Sequence, residues 1–130
     1  MGWLDRLLGR PGSARQDVAE RLTTYGPFRT TTETAGLDDR ETVRRWLREL
    51  DPDLRQQVHV RRAWGVIAAV SGHRDPVGVV MREPGGRAWG AYVPGADRRE
   101  HLTPEQVEAV MLAALTSTGR PDGPDWRPIA

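Results

Sequence analysis

The densest apolar stretch of the chain runs from Ala63 to Val93, AWGVIAAVSGHRDPVGVVMREPGGRAWGAYV, and what flanks it reads as amphipathic helix, loop or tail able to cover it. Within it, Val77–Glu83 and Arg87–Val93 have strand character on either side of Pro84-Gly85-Gly86, which predicts a β-hairpin over about 77–93. Gly78 and Gly90 inside that hairpin point to a close backbone approach or a bulge. Two strands alone are marginal in water, so a third has to come from 58–70 or from 28–34.

Elsewhere the apolar spacing is helical. Ser13 with Gln16 forms a capping-box pattern and predicts a helix over about 14–25, with Val18, Leu22 and Tyr25 on one face and Gly26-Pro27 at its end. Asp38 is expected to cap a helix over 39–50, whose inner stripe is Val43, Trp46, Leu47 and Leu50 and whose outer side carries Arg44, Arg45 and Arg48. Thr103-Pro104-Glu105-Gln106 is the clearest helix start in the chain and opens a helix over 104–116, with Val107, Val110, Met111, Ala114 and Leu115 inward. Two stretches satisfy two patterns each. Residues 52–71 read as a helix from the Asp51-Pro52 cap to Gly72, or as a strand on Val58, Val60, Trp64, Val66, Ala68 and Val70 with Arg62 out of place; the start and stop signals favour the helix. PFRTTTETAG is an edge strand or a loop.

These elements predict an α+β fold: a small antiparallel sheet built on the 77–93 hairpin and covered by three or four helices. The single domain is assigned to residues 13–119. Residues 1–12 form an amphipathic segment and hinge before it, and residues 120–130 a Pro-rich tail after it. Trp64 and Trp89 are expected to be largely buried.

Composition narrows the chemistry. The length of 130 residues suits one domain with a proper core. There is no Cys, which leaves no disulfide, no thiolate nucleophile and no Cys-ligated zinc. All 19 basic residues are Arg, so every cation is a planar, permanently charged guanidinium and no lysine Schiff base can form. Residues 1–65 carry 12 Arg against 10 acids and residues 66–130 carry 7 against 8, a balance too even to announce nucleic acid. The longest apolar runs fall well short of the roughly 18 residues of a membrane span, and the N-terminal leucines are too few for a signal peptide. The expected compartment is the cytoplasm.

No motif fixes a reaction. His59, His73 and His101 share no metal-ligand spacing, so no metal or other cofactor is expected. Ser71 and His73 do not make a dyad by adjacency, and His73-Arg74-Asp75 reads as a turn. Asp38, Asp51, Glu105 and Glu108 suit helix caps and first turns better than acid–base work, and no catalytic residue is assigned. Arg44, Arg45, Arg48, Arg61 and Arg62 are interleaved with Asp38, Asp39, Glu41, Glu49, Asp51 and Asp53, the pattern of a neutralised solvated face.

What remains is contact. Trp3, Leu4, Leu7 and Leu8 fall on one stripe of a helix too short to be stable alone, separated from the domain by Arg10-Pro11-Gly12. Together with Trp126 they are the expected partner-binding residues. The reading is a non-catalytic protein-interaction module, adaptor or regulatory, that docks a protein partner through this stripe. A small-molecule binder or small enzyme with a pocket between sheet and helices ranks second, and nucleic-acid binding through the Arg-bearing helix face third. A membrane is the lesser target for the stripe, because one short stripe with few charges adsorbs weakly.

Overall fold

The structure is a computed structural model and describes residues 17–27, 29–51, 53–72 and 75–129. The chain runs β1 (Val18–Tyr25), β2 (Arg29–Ala35), α1 (Arg40–Arg48), β3 (Arg55–Arg62), β4 (Gly65–Gly72), β5 (Asp75–Arg82), β6 (Ala88–Tyr92), α2 (Pro104–Ala113) and β7 (Asp125–Pro128). The strands form one antiparallel sheet in the order β2-β1-β3-β4-β5-β6-β7. From β3 to β7 the sheet is a meander, with α2 inserted before its last strand. The β1–β2 hairpin joins through β1, and α1 carries the chain back across to β3.

The α+β class therefore stands, but not as a small hairpin under three or four helices: the sheet has seven strands, and among the described residues there are two helices. Two of the expected helices are strands. The 14–25 segment contains β1, which pairs residue for residue with β2 and β3, so Val18 and Leu22 sit on one face of a strand rather than one face of a helix. The 52–71 segment is β3 and β4, folded back on each other at Ala63-Trp64 with Arg62 opposite Gly65. Gly65 makes that reversal possible. Its φ is +152°, and a Cβ there would stand 2.6 Å from the carbonyl oxygen of Arg82. Asp51, expected as a helix cap, instead turns the chain into β3: its Oδ1 accepts the Asp53 N–H at 2.8 Å, and its own N–H donates to Gln56 Oε1 at 2.9 Å. The Thr-rich 29–35 stretch is the edge strand β2.

The hairpin and both other helices form where the sequence places them. Glu83 and Arg87 close the β5–β6 turn, with Glu83 N–H donating to Arg87 O at 2.8 Å. The cap of α1 is Asp39 rather than Asp38; Asp39 accepts from Thr42 N–H and from the Thr42 hydroxyl. At α2, Thr103 Oγ1 accepts the Gln106 N–H at 3.2 Å and Gln106 Oε1 accepts the Thr103 N–H at 2.9 Å, a complete capping box.

Register sorts the strand side chains into two faces. On the first face Ala19, Val60, Ile67, Met81 and Trp89 form one cross-strand row, and Val58, Ala69, Val79 and Ala91 lie in the next. All of these but Trp89, which packs against its edge, share a single buried cluster with Val43 and Trp46 of α1 and Val107, Val110 and Met111 of α2. Both helices thus lie on this face. Arg21 stands here too, over the Trp46 ring at 5.7 Å, and bridges Glu33 of β2 to Glu49 after α1. Trp64 and Trp89 are half-buried at the perimeter of the core rather than enclosed by it. Each indole N–H reaches a polar partner there, Ser117 O at 3.1 Å and Glu83 Oε1 at 3.0 Å.

Candidate interaction surfaces

The second face of the sheet carries the opposite parity. One row runs Glu20, His59, Ala68, Val80, Gly90, and the next runs Leu22, Gln57, Val70, Gly78. An antiparallel sheet covered on one side alternates apolar inward with polar outward. Here Leu22, Val66, Ala68, Val70 and Val80 put an apolar band along the centre of the outward rows, although none of them belongs to the cluster beneath the two helices. The glycines of the hairpin serve this face. A Cβ at Gly90 would meet the Tyr92 ring at 3.0 Å, and one at Gly78 would meet the His101 ring at 3.7 Å. Each ring stands over backbone that carries no side chain, and the two rings are tilted 42° to each other. The Tyr92 and His101 centroids are 6.1 Å apart, and the Arg99 guanidinium stands 5.6 Å from the Tyr92 ring centre.

Toward β1 the same face holds buried polar groups. Arg61 Nε donates to Glu20 Oε1, and both side chains are about nine-tenths enclosed. His59, 1% exposed, donates from Nε2 to Gln57 Oε1 at 2.7 Å as a neutral ring. Burial, reinforced by the neighbouring Arg61 charge, lowers the His59 pKa to about 3. Its Nδ1 is then a buried acceptor with no hydrogen bond recorded among the described groups.

A second surface lies where α1 and α2 meet β5. A groove of about 550 Å³ is lined by Leu47, Leu50, Val77, Leu102 and Val107, with Arg48 and Glu108 at its rim. The volume is within the range of small-molecule sites. Its charged groups are engaged with each other, however: Arg48 donates from Nε to Glu108 Oε2 at 3.1 Å and from Nη2 to Oε1 at 3.0 Å, and Arg44 Nε donates to Oε1 at 3.0 Å. The Arg48 hydrogen bond holds the Glu108 carboxyl below its usual pKa, and the same bond raises that of Arg48. The other arginines of the expected patch are paired as well, Arg45 with Glu49 and Arg62 with Asp17. Arg61 and Arg62 are adjacent on a strand and point to opposite faces, so the five do not converge.

Of the expected partner-binding residues, Trp3, Leu4, Leu7 and Leu8 lie outside the described residues, as does the Ser13–Gln16 cap. Trp126 is on β7, half-buried against the core, with its indole N–H donating to Pro121 O at 2.9 Å. Arg120 reaches over both Trp126 and Trp89, at 5.8 and 4.6 Å from their ring centres. The end of the Pro-rich stretch is therefore tied into the sheet by Trp126 pairing with Ala91. His73 is outside the described residues. Among the described residues no three His, Asp or Glu side chains gather to hold a metal, and no helix is long and apolar enough to cross a membrane. The apolar second face and the Glu20–Arg61 pair escape a reading by sequence spacing, because their partners are brought together only by strand register; His59 and Gln57 are two residues apart on one strand face, which the helix reading of 52–71 conceals.

Comparison with known proteins finds no matching family model, no matching curated protein and no matching solved structure.

Proposed function

We propose that this chain is a non-catalytic cytoplasmic protein-interaction module, adaptor or regulatory in role, and that its partner contributes an amphipathic helix. That helix lies on the second sheet face, with the stripe of Trp3, Leu4, Leu7 and Leu8 as the further contact. The observation that carries this reading is the apolar band of Leu22, Val66, Val70 and Val80 on a face that neither described helix covers. The partner helix rests on the partly buried side chains of Leu22, Val66, Val70 and Val80, because Ala68 between them is already enclosed and the rings of Tyr92 and His101 stand over Gly90 and Gly78. The stripe and the face belong together by connection: the 16 residues before Asp17 enter the sheet at Val18, which stands on this second face beside Arg61.

The test is co-purification from the native host, comparing the full chain with residues 13–130 and with Val80→Glu. The expected result is a stoichiometric protein partner held by the full chain and lost from both variants, with the denaturation midpoint almost unchanged. A shortened chain that unfolds would make the stripe a structural cover of the face, and one that keeps the same partner would place the binding surface elsewhere. A small-molecule reading has one observation in its favour, the groove between α1, α2 and β5. A ligand-induced rise in melting temperature that is lost in Leu47→Arg would favour it.

A further inference from the structure

We propose that the outer edge of β2 is a self-pairing site, through which two copies of this chain join strand to strand into one continuous antiparallel sheet. The proposal uses none of the residues assigned to partner docking and stands or falls separately.

The two ends of the sheet are built differently. At one end β7 has four residues, and Pro128 removes a backbone donor from it. Such short, proline-bearing strands protect an edge. At the other end β2 has seven residues, RTTTETA, and all but the last are exposed. It pairs with β1 in unbroken register from Tyr25–Arg29 to Ala19–Ala35, with no bulge to twist its outer edge away and no proline along it. Alternate N–H and C=O groups of such a strand point outward, in the arrangement that receives another strand. Among the described residues no strand lies beyond it.

Its sequence is self-complementary in one register. Two copies of β2 paired antiparallel about Thr31 place Arg29 of each opposite Glu33 of the other, and Thr30 opposite Thr32. Opposite charges and threonine pairs across a ladder both stabilise it. The threonine contact already has a precedent within the chain, where Thr24 and Thr30 hydroxyls lie 3.3 Å apart across β1 and β2. Glu33 is prepared for a second guanidinium: Arg21 donates twice to its Oε2, at 2.9 and 2.6 Å, and Oε1 takes no part in those bonds. Arg29, Glu33 and Arg21 share the helix-bearing face, so the joined sheet has both helical layers on the same side.

The test is sedimentation velocity of the full chain over a concentration series, with charge exchange at the two positions. The full chain should associate reversibly. Arg29→Glu should weaken self-association at least about tenfold by replacing two attractions with two repulsions, and Glu33→Arg should do the same. The double exchange R29E/E33R should restore it, and an equimolar mixture of the two single variants should pair with each other. Hydrogen exchange should show about half of the amides between Thr30 and Thr34 gaining protection as concentration rises. A full chain that stays monomeric at about 1 mM would overturn the proposal, as would association that is indifferent to both single reversals.

Discussion

The two faces of the sheet use the same strands to different ends. On the helix-bearing face Val58, Val60, Ile67, Ala69, Val79 and Met81 are sealed under α1 and α2 and are at most 2% exposed. On the other face the apolar residues between them, Val66, Val70 and Val80, are only partly buried, and the enclosed groups include a charged pair and a histidine. One face is a packed interior, where a lost methyl group leaves a hole. The other combines a partly buried apolar band with enclosed polar groups. The lesson is that burial of a strand on both sides need not mean a core on both sides.

Truncation separates the faces most strongly. Trp46→Ala, at the centre of the covered face, should lower stability by about 3–5 kcal/mol. Val70→Ala or Val80→Ala on the other face should cost about 1 kcal/mol or less. Denaturant midpoints at constant m-value decide between them; equal losses on both faces would erase the distinction.

Acid should act through the second face before it acts through the helices. His59 has a folded pKa of about 3 against a usual value of 6.5, so the unfolded chain binds a proton that the folded chain refuses. Its contribution is complete above pH 6.5 and is lost as pH falls toward 3. Between pH 6.5 and 5 the loss should be about 2 kcal/mol. Glu108 is depressed below its usual 4.5 by Arg48, so its own contribution fades only at still lower pH. Stability curves of the native chain and of His59→Leu should diverge in the upper window; a native curve as flat as that of the variant would contradict a buried neutral His59.

The turn between β3 and β4, where the covered parity switches from even to odd residues, gives a further contrast. Gly65→Ala drives a Cβ onto the Arg82 carbonyl in a conformation that L side chains rarely adopt, and should cost about 1–3 kcal/mol. Gly85→Ala, in open space at the β5–β6 turn, should cost less than about 1 kcal/mol. At the start of α2, Thr103→Ala removes one half of the capping box and should cost about 1 kcal/mol, read from the denaturation midpoint.

Three local signals read true, although the equally local Asp51 cap leads into a strand rather than a helix. The Thr103 box, the Asp-capped 40–48 helix and the Pro84-Gly85-Gly86 turn each depend on residues within a few positions of one another. Where partners were distant, they misled. In β1 the inward positions are Ala19, Arg21 and Thr23, and Arg21 is welcome there only because Trp46, Glu33 and Glu49 meet it. No alternation of apolar and polar residues survives, and Val18 with Leu22 then imitates a helix. In 52–71 the even positions appear to alternate throughout, yet Val58 and Val60 face the helices while Val66, Ala68 and Val70 face away. Arg62, apparently out of place, does face the helix layer, and its guanidinium donates to Ala114 O at 2.7 Å. The period-two pattern of 52–71 points to a strand, and it is the Asp51-Pro52 start and the Gly72 stop that favour a helix; an apolar second face makes β4 apolar at nearly every position, which periodicity alone does not separate from a buried helix. The Trp3, Leu4, Leu7 and Leu8 stripe, proposed as a contact, is read from local spacing alone and lies outside the described residues. The sheet face proposed to work with it is assembled by register, and Trp126 is drawn into β7 by pairing that sequence spacing does not reveal.

The most direct test of the central claim compares partner retention and stability in the same three proteins: the full chain, residues 13–130 and Val80→Glu. A contact surface predicts that both altered proteins release the partner at least about tenfold more readily while keeping the melting midpoint within a few degrees of the full chain. Retention of the partner by both, or collapse of the fold in either, would contradict it.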